Sequence, residues 1–337
     1  MKDIAEDLGV SLMTVSKALR NHSDVAEETR RRVSQRAREL AYEPNLIARS
    51  LAGHPSFLIG LVVPDLMHSF FAEVAKGVDC KLGPLGYQTV VCSSGENTET
   101  EFRQIKLLLA RKVDGLLIAS AAPHASRSMA ELLGGHGAPY VLVDRMIPNV
   151  KANYVGVKDG AIGALATQHL IEQGCTRIAH LSGPKVSTGR GRLRGYHRVL
   201  AKHGLKIPPE YVISGAHEDH TGYAAMQRLL QLKPRPDGVF CYNDPVASGA
   251  IKAILEAGLD VPGDIAVVGA GDVHYSDMLR VPLSTINQSP FQIGESSAEL
   301  LLECIKSKTP LPPKCIYFTP RLVVRESSLR RRTSSVR

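Results

Sequence analysis

From Phe57 onward the chain alternates short apolar runs with amphipathic helical stretches, and this alternation limits the available folds more than any other feature. The runs are FLIGLVV, QTVVCSS, DGLLIAS, YVLVDR, RIAHLSG, YVISGA, DGVFCYND and DIAVVGAG. Continuous β-prone runs of this kind suit parallel strands buried on both faces, with helices returning the chain. After the first run, Phe71, Val74, Ala75, Val78 and Leu82 form an apolar helical stripe, as a core-facing helix requires. Asp114-Gly115 before LLIAS is echoed by Asp237-Gly238 before VFCYND, so two doubly wound lobes of similar design are expected.

The first residues read differently. In DIAEDLGVSLMTVSKALRN (residues 3–21), Ile4, Ala5 and Leu8 give a short helix one apolar edge. Gly9 supplies the permissive backbone of a helix end, and Ser11 suits the N-cap of a second helix. That helix should bury Val15, Ala18 and Leu19, leaving Ser11, Leu12, Met13, Thr14, Ser16 and Lys17 outside. Small, hydroxyl and basic groups at the start of a second helix suit a DNA major groove; an ordinary αα-hairpin is the alternative. A third helix is predicted from Glu27 to Leu40, with Val33, Ala37, Leu40 and Ala41 on its inner face. It carries Arg30, Arg31, Arg32, Arg36 and Arg38, and Pro44 should end it.

With VSLMTVSKALRN, VAEETRRRV, LAYEPNLIARSLAG and FLIGLVVPD in this order, the chain resembles the lactose/purine/galactose repressor (LacI) family of bacterial transcription regulators. The resemblance continues through HLSGP, GRLRGY, YNDPVASG, DIAVVGAGD and PLSTINQ. It implies an α/β protein: an all-α helix-turn-helix head at 1–44, a hinge helix and linker at 45–56, and a periplasmic-binding-protein-like core at 57–328. Lobe 1 would span about 57–156 and 289–317, and lobe 2 about 157–288 and 318–328, with a disordered basic tail at 329–337. The implied partners are a pseudo-palindromic double-stranded operator, a second copy of the chain, and a small effector held between the lobes. In the hinge, Asn45, Ala48 and Leu51 would enter the minor groove, Leu51 as a wedge.

The resemblance also assigns the cleft. Asp144 matches an acid that holds ligand hydroxyls, Arg192 an arginine that reaches across to the ligand, and Thr188 the threonine of purine-responsive members. Asn243 matches an amide contact, His217 takes the place of an aromatic wall, and Phe70 and Phe71 line the opposite lobe. By residue type alone, Asp144 and Asn243 equally suit helix capping, and Arg192 a surface ion pair. Relatives carry two acids near 270, the first touching ligand; here Gly271 precedes Asp272. Losing that carboxylate while keeping Arg192 tilts the expected effector from a sugar toward a sugar acid. Relatives also supply a hydroxyl cap before this chain's Met1, leaving Asp3 as cap; the start codon could lie upstream, or the first helix frays.

Composition bounds what remains. A length of 337 residues suits a small head plus a two-lobed body. No apolar run reaches membrane-spanning length and no secretory signal opens the chain, so a cytoplasmic protein is expected. Six dispersed cysteines without a C-x-x-C pair read as reduced, buried thiols. The net charge of +8 is no argument for DNA binding: residues 1–56 hold nine Lys/Arg against eight Asp/Glu, and 321–337 hold six against one. Gly189, Gly191 and Gly195 mimic a dinucleotide fingerprint, but they sit mid-body without a clear acidic partner. No cofactor, metal or catalysis is therefore expected. The competing classes are a solute-binding protein without DNA and, more remotely, a nucleotide-dependent enzyme using that glycine motif.

Overall fold

The computed structural model describes residues 1–19, 21–42, 55–124, 127–135, 137–307, 309 and 311–330. The chain divides into two compact units, Met1–Ser56 and Phe57–Arg337.

In the first unit, α1 (Lys2–Leu8), α2 (Leu12–Leu19) and α3 (Glu27–Glu39) surround a core of Ile4, Ala5, Val15, Ala18, Val25, Val33 and Ala37. Helices this short are marginal in isolation, so their shared core holds them. Gly9 closes α1 at φ 64°, a left-handed conformation that a side chain would strain. Ser11 Oγ accepts from the Thr14 amide at 3.0 Å and caps α2. Two expectations are corrected here. Asp3 lies within the first turn of α1 and caps nothing, because the helix begins at Lys2 after Met1. Helix three stops at Glu39, and Leu40 and Ala41 are exposed. Ala41 turns left-handed at φ 46°, and the Tyr42 amide bonds back to the Ala37 carbonyl at 2.8 Å. Tyr42 therefore takes the inner place predicted for Leu40.

The second unit holds two parallel sheets. In lobe 1, β1 (Leu58–Val63), β2 (Gln88–Ser93), β3 (Gly115–Ile118), β4 (Tyr140–Val143), β5 (Asn153–Val157) and β11 (Cys315–Phe318) run in the order β11-β5-β4-β3-β1-β2. Their connecting helices include α4 (Ser69–Leu82), α5 (Thr98–Ala110) and α6 (Arg127–Gly135). In lobe 2, β6 (Ile178–Ser182), β7 (Val212–Ser214), β8 (Gly238–Cys241) and β9 (Ala266–Val268) run β7-β6-β8-β9. Helices α7 (Asp159–Glu172), α8 (Ser187–Lys202), α9 (Asp219–Leu230) and α10 (Asp244–Glu256) flank that sheet. An antiparallel ribbon, β10 (Thr285–Asn287) with β12 (Arg321–Val323), carries the chain across. Helix α11 (Pro290–Lys306) then returns to lobe 1 and packs on α4.

The Asp-Gly echo has a structural cause. Asp114 accepts from the Phe57 amide at 2.9 Å, and Asp237 from the Thr176 and Arg177 amides at 3.1 and 2.8 Å. Each carboxylate thus holds the entry of the neighbouring strand, β1 or β6. The strand β2 departs from the two-sided burial predicted for it: it is a sheet edge, and Val91 is exposed. The short strands β5, β10, β11 and β12 were not distinguished among the apolar runs. At the C-terminus, Arg330 donates to the Gly263 carbonyl at 2.9 Å, so the predicted tail does not begin at 329. The remainder of that segment, 331–337, lies outside the described residues. Cys80 and Cys315 are exposed, contrary to the expectation of buried thiols.

Candidate functional site

Open parallel sheets leave a crevice beyond the carboxyl ends of their strands, and here two sheets present those ends to one cleft. Lobe 1 supplies Asp65, His68, Phe70 and Phe71 after β1, Glu96 after β2, and Asp144 and Arg145 after β4. Lobe 2 and the crossover supply Arg192, His217, Tyr242, Asn243, Ala270 and Gln288. The cleft is nearly closed in this conformation, with a cavity volume of about 30 Å³. The lobes touch beside it. Ser187 Oγ accepts from the Met146 amide at 2.9 Å, and Arg190 donates to the Pro123 carbonyl.

Arg192 is buried and fully oriented. Nε donates to Asp159 at 3.3 Å, one terminal nitrogen to the Tyr242 carbonyl at 2.6 Å, and the other to Gln288 at 3.1 Å. Its guanidinium also lies 4.7 Å from the Tyr242 ring centre. Arg145 is equally buried but differently engaged: both terminal nitrogens pair with Glu96, at 2.7 Å each. Its Nε is 4.0 Å from Asp144 Oδ2 and makes no hydrogen bond among the described residues. Asp144 Oδ1 is likewise buried without a hydrogen-bond partner among them. Asp144 stands at φ 60°, a strained conformation for a residue other than glycine.

Burial sets the protonation of this site. It raises the Asp144 carboxyl above its ordinary range, against the pull of Arg192 and Arg145. It raises Asp159 in the same way, again opposed chiefly by Arg192. Burial also pushes Glu96 upward, but the Arg145 hydrogen bonds and charge outweigh it and leave the carboxyl below its usual value. His68 is held down to about 4 by burial and by the cationic Arg145 and Arg192. It stays neutral and caps α4, accepting from the Phe70 amide at 3.3 Å.

Of the residues singled out in the sequence, Phe70, Phe71, Asp144, Arg192, His217 and Asn243 lie together in the cleft. Two do not. Thr188 is fully buried behind the lining, its hydroxyl 2.7 Å from Tyr242 Oη, so it supports a wall residue. Asp272 accepts from Arg325 and from Asn287, at 2.8 Å each, and braces the crossover instead of facing the cleft. Asn243 combines both of its readings. It lines the cleft, its amide oxygen caps α10 through the Val246 amide, and its nitrogen donates to the His217 carbonyl. Among the described residues Asp144 caps no helix. Sequence reasoning missed Asp65, His68, Glu96, Arg145, Tyr242, Ala270 and Gln288. Several immediately follow apolar runs, so strand-end position was the available signal.

The glycine motif resolves as packing. Gly189, Gly191 and Gly195 lie inside α8, where a Cβ on Gly195 would stand 2.3 Å from the Gly160 carbonyl oxygen. In return Gly163 of α7 meets the Arg192 carbonyl, so the two helices touch backbone to backbone. Among the described residues no three His, Cys, Asp or Glu are grouped to hold a metal ion.

On the head, Leu12 and Met13 are 52% and 65% exposed. Ser11 Oγ and Thr14 Oγ1 are 2.9 Å apart within the α2 cap, and Lys17 pairs with Asp24 at 2.5 Å. Arg30 donates to Glu27 and to the His22 and Val25 carbonyls, while Arg36 joins Asp7 to Glu39. These two arginines tie the head together. Asn45, Ala48 and Leu51 lie outside the described residues.

Comparison with known proteins bears on both units. Residues 1–45 match the model described as bacterial regulatory proteins, lacI family, and residues 167–328 match a periplasmic binding protein-like domain. The HTH-type transcriptional repressor PurR of Pasteurella multocida is 34% identical over 97% of this chain and 98% of its own. The ribose operon repressor of Escherichia coli is 33% identical over 97% and 99%. Among solved structures, a lac repressor dimer bound to operator and the anti-inducer ONPF superposes with a TM-score of 0.84 at 27% identity, covering 97% of this chain and 98% of that one. A complex of the regulator CelR with cellobiose gives 0.73 at 30% identity, covering 96% and 98%.

Proposed function

The chain belongs to the LacI family of bacterial regulatory proteins, and from that premise we propose that it is a sequence-specific DNA-binding transcriptional repressor under effector control. One observation carries the DNA half: the head has its own core yet turns Leu12 and Met13, two large apolar side chains, outward at the start of its second helix. Exposed apolar groups there suit thymine methyls and the shape of a major groove. Leu12, Met13 and Lys17 make the groove contacts in this reading, and Ser11, Thr14 and Ser16 set the helix on the backbone. Lys17 exchanges Asp24 for DNA. Asn45, Ala48 and Leu51 contribute from the minor groove. The protein acts in the cytoplasm as a homodimer on a pseudo-palindromic operator, with no catalytic step.

The effector half rests on the cleft. A sugar or sugar acid held by Asp144, Arg192, Asn243 and His217, against Phe70 and Phe71, contacts both lobes and biases their closure. The test begins by selecting an operator from random duplexes, then measures its affinity by fluorescence anisotropy. Lys17→Ala and Met13→Ala should each weaken binding by about 1–3 kcal/mol. Wild-type affinity in both variants would remove α2 from the groove. A ligand that shifts operator affinity in the wild type but not in Asp144→Asn would place control in the cleft.

A further inference from the structure

We infer that the outer face of α8 is a second contact for duplex DNA, gripping the phosphate backbone without reading sequence. Duplex DNA is chosen among polyanions because the head is read as a DNA-binding unit; the surface itself stands on charge and exposure. Residues 173–209 hold eight of the 41 Lys/Arg and none of the 33 Asp/Glu, which leaves 33 of each in the rest of the chain. One stretch of lobe 2 therefore carries a charge equal to the whole formal excess of +8.

The fold neutralises little of that charge. Arg177 pairs with Asp237 and Arg192 with Asp159, at 3.3 Å each, and Arg190 donates to the Pro123 carbonyl. Lys185, Arg194, Arg198, Lys202 and Lys206 are exposed and have no ion pair among the described residues. Gly191 and Gly195 turn the other side of α8 onto Asp159 and Gly160 of α7, so Arg194, His197, Arg198, Ala201 and Lys202 form its outer side. Arg198 donates to the Gly160 carbonyl at 3.2 Å, which lays its stem along α7. Glu172, the last residue of α7, accepts from Gln168 at 2.9 Å and pairs with none of these cations.

The chemistry of this face suits a phosphate backbone better than a protein. From Arg194 to Lys202 the helix advances about 12 Å, and over that length one DNA strand presents about three or four phosphates. Guanidinium and ammonium groups meet phosphate oxygens through charge-assisted hydrogen bonds. Along 173–209 no large apolar side chain is exposed, whereas a protein partner ordinarily needs an apolar or aromatic anchor at the centre of its interface. Nucleic-acid interfaces are instead polar and strongly positive. Cations this close repel one another, so a polyanion laid along them relieves that repulsion and releases counterions.

The experiment saturates the full-length protein with unlabelled operator, selected from random duplexes, and titrates it with a labelled random-sequence duplex at several salt concentrations. The wild type should capture this second duplex. The triple variant Arg194→Gln, Arg198→Gln, Lys202→Gln should bind it at least about tenfold more weakly, with the wild-type melting temperature. Its slope of log affinity against log salt should fall by about 2–3, or about 0.9 per lost phosphate contact. A control triple, Lys106→Gln, Lys112→Gln, Lys151→Gln, removes the same charge from lobe 1 and should leave capture and slope unchanged. Equal losses in the two triples would reduce the effect to net charge and overturn the inference. Unchanged affinity and slope in the α8 triple would overturn it as well. Tighter binding of labelled polyglutamate than of the duplex would overturn it in favour of an acidic protein partner. Should no operator be found, the reading of the head falls, and the two triples are compared on the random duplex alone, where the α8 triple should still bind more weakly. If the α8 triple does not fold, Arg194→Gln alone should lower the slope by about 1, and an unchanged slope would overturn the inference.

Discussion

On the lobe 2 wall, Arg192 distributes its guanidinium over Asp159, the Tyr242 carbonyl and Gln288; on the lobe 1 wall, Arg145 gives both terminal nitrogens to Glu96 and keeps Nε open. The two side chains are equally buried, at 4% exposure. What separates them is the number of donors the fold itself consumes. Arg192 joins α8 to the start of α7, the end of β8 and the crossover, so its first duty is to hold the second lobe's wall. Arg145 is oriented by one carboxylate, and its Nε has no hydrogen-bond partner among the described residues. A buried cation beside a cleft is thus not a ligand contact by position alone; its unengaged hydrogen-bonding groups decide.

The largest effect expected from this difference is on stability. Arg192→Ala should cost about 3–5 kcal/mol, because Gln288 and the Tyr242 carbonyl would be left buried without their donor. Asp159, raised by burial to about 7, takes up a proton. A urea midpoint equal to wild type would break the comparison by showing that Arg192 is not structural. Next is a pH effect on the lobe 1 wall. His68 titrates near 6.5 when unfolded but at about 4 in the fold, so unfolding takes up a proton between those values. The stability it contributes is full above pH 6.5 and lost as pH falls toward 4, on the order of 3 kcal/mol at most. His68→Gln should flatten that part of the stability profile, measured by denaturant titration across the same range. An unchanged slope would return His68 to the solvent.

Glu96→Gln should cost about 2 kcal/mol, since the Arg145 charge would lose its ionic partner, and should loosen effector binding without altering operator affinity in effector-free protein. Equal effector affinity would sharpen the account by showing that Asp144 alone holds Arg145 in place. The smallest change is Thr188→Val, about 1 kcal/mol of stability from the lost Tyr242 hydrogen bond, with effector affinity nearly preserved. A large loss of affinity would mean that Thr188 contacts ligand after all.

The alternation of β-prone runs with helices was enough to anticipate two parallel-sheet lobes, since strands buried on both faces must be apolar throughout. The head was readable for a related reason. Ile4, Ala5, Val15 and Ala18 repeat at helical spacing, and Gly9 and Ser11 are residues whose backbone preferences act locally. The short strands β5, β10, β11 and β12 escaped because three to five residues carry too little periodicity to separate from loop. Helix three ends one residue before the predicted Leu40 because the left-handed turn at Ala41 brings Tyr42 onto the core, a tertiary demand.

By itself the sequence determined the order of the elements, the outward face of α2, and the strand-end positions of Asp144 and Asn243. These follow from periodicity and local backbone chemistry, which are properties of neighbours in the chain. Only the tertiary structure decided which of the chosen polar groups face the cleft. Thr188 is taken by Tyr242, 54 residues away in the chain, and Asp272 by Arg325, 53 residues away. Arg145 acquired its role from Glu96, 49 residues away. Hydrogen-bond satisfaction is settled in space, where a group's availability depends on every partner that folding brings within reach.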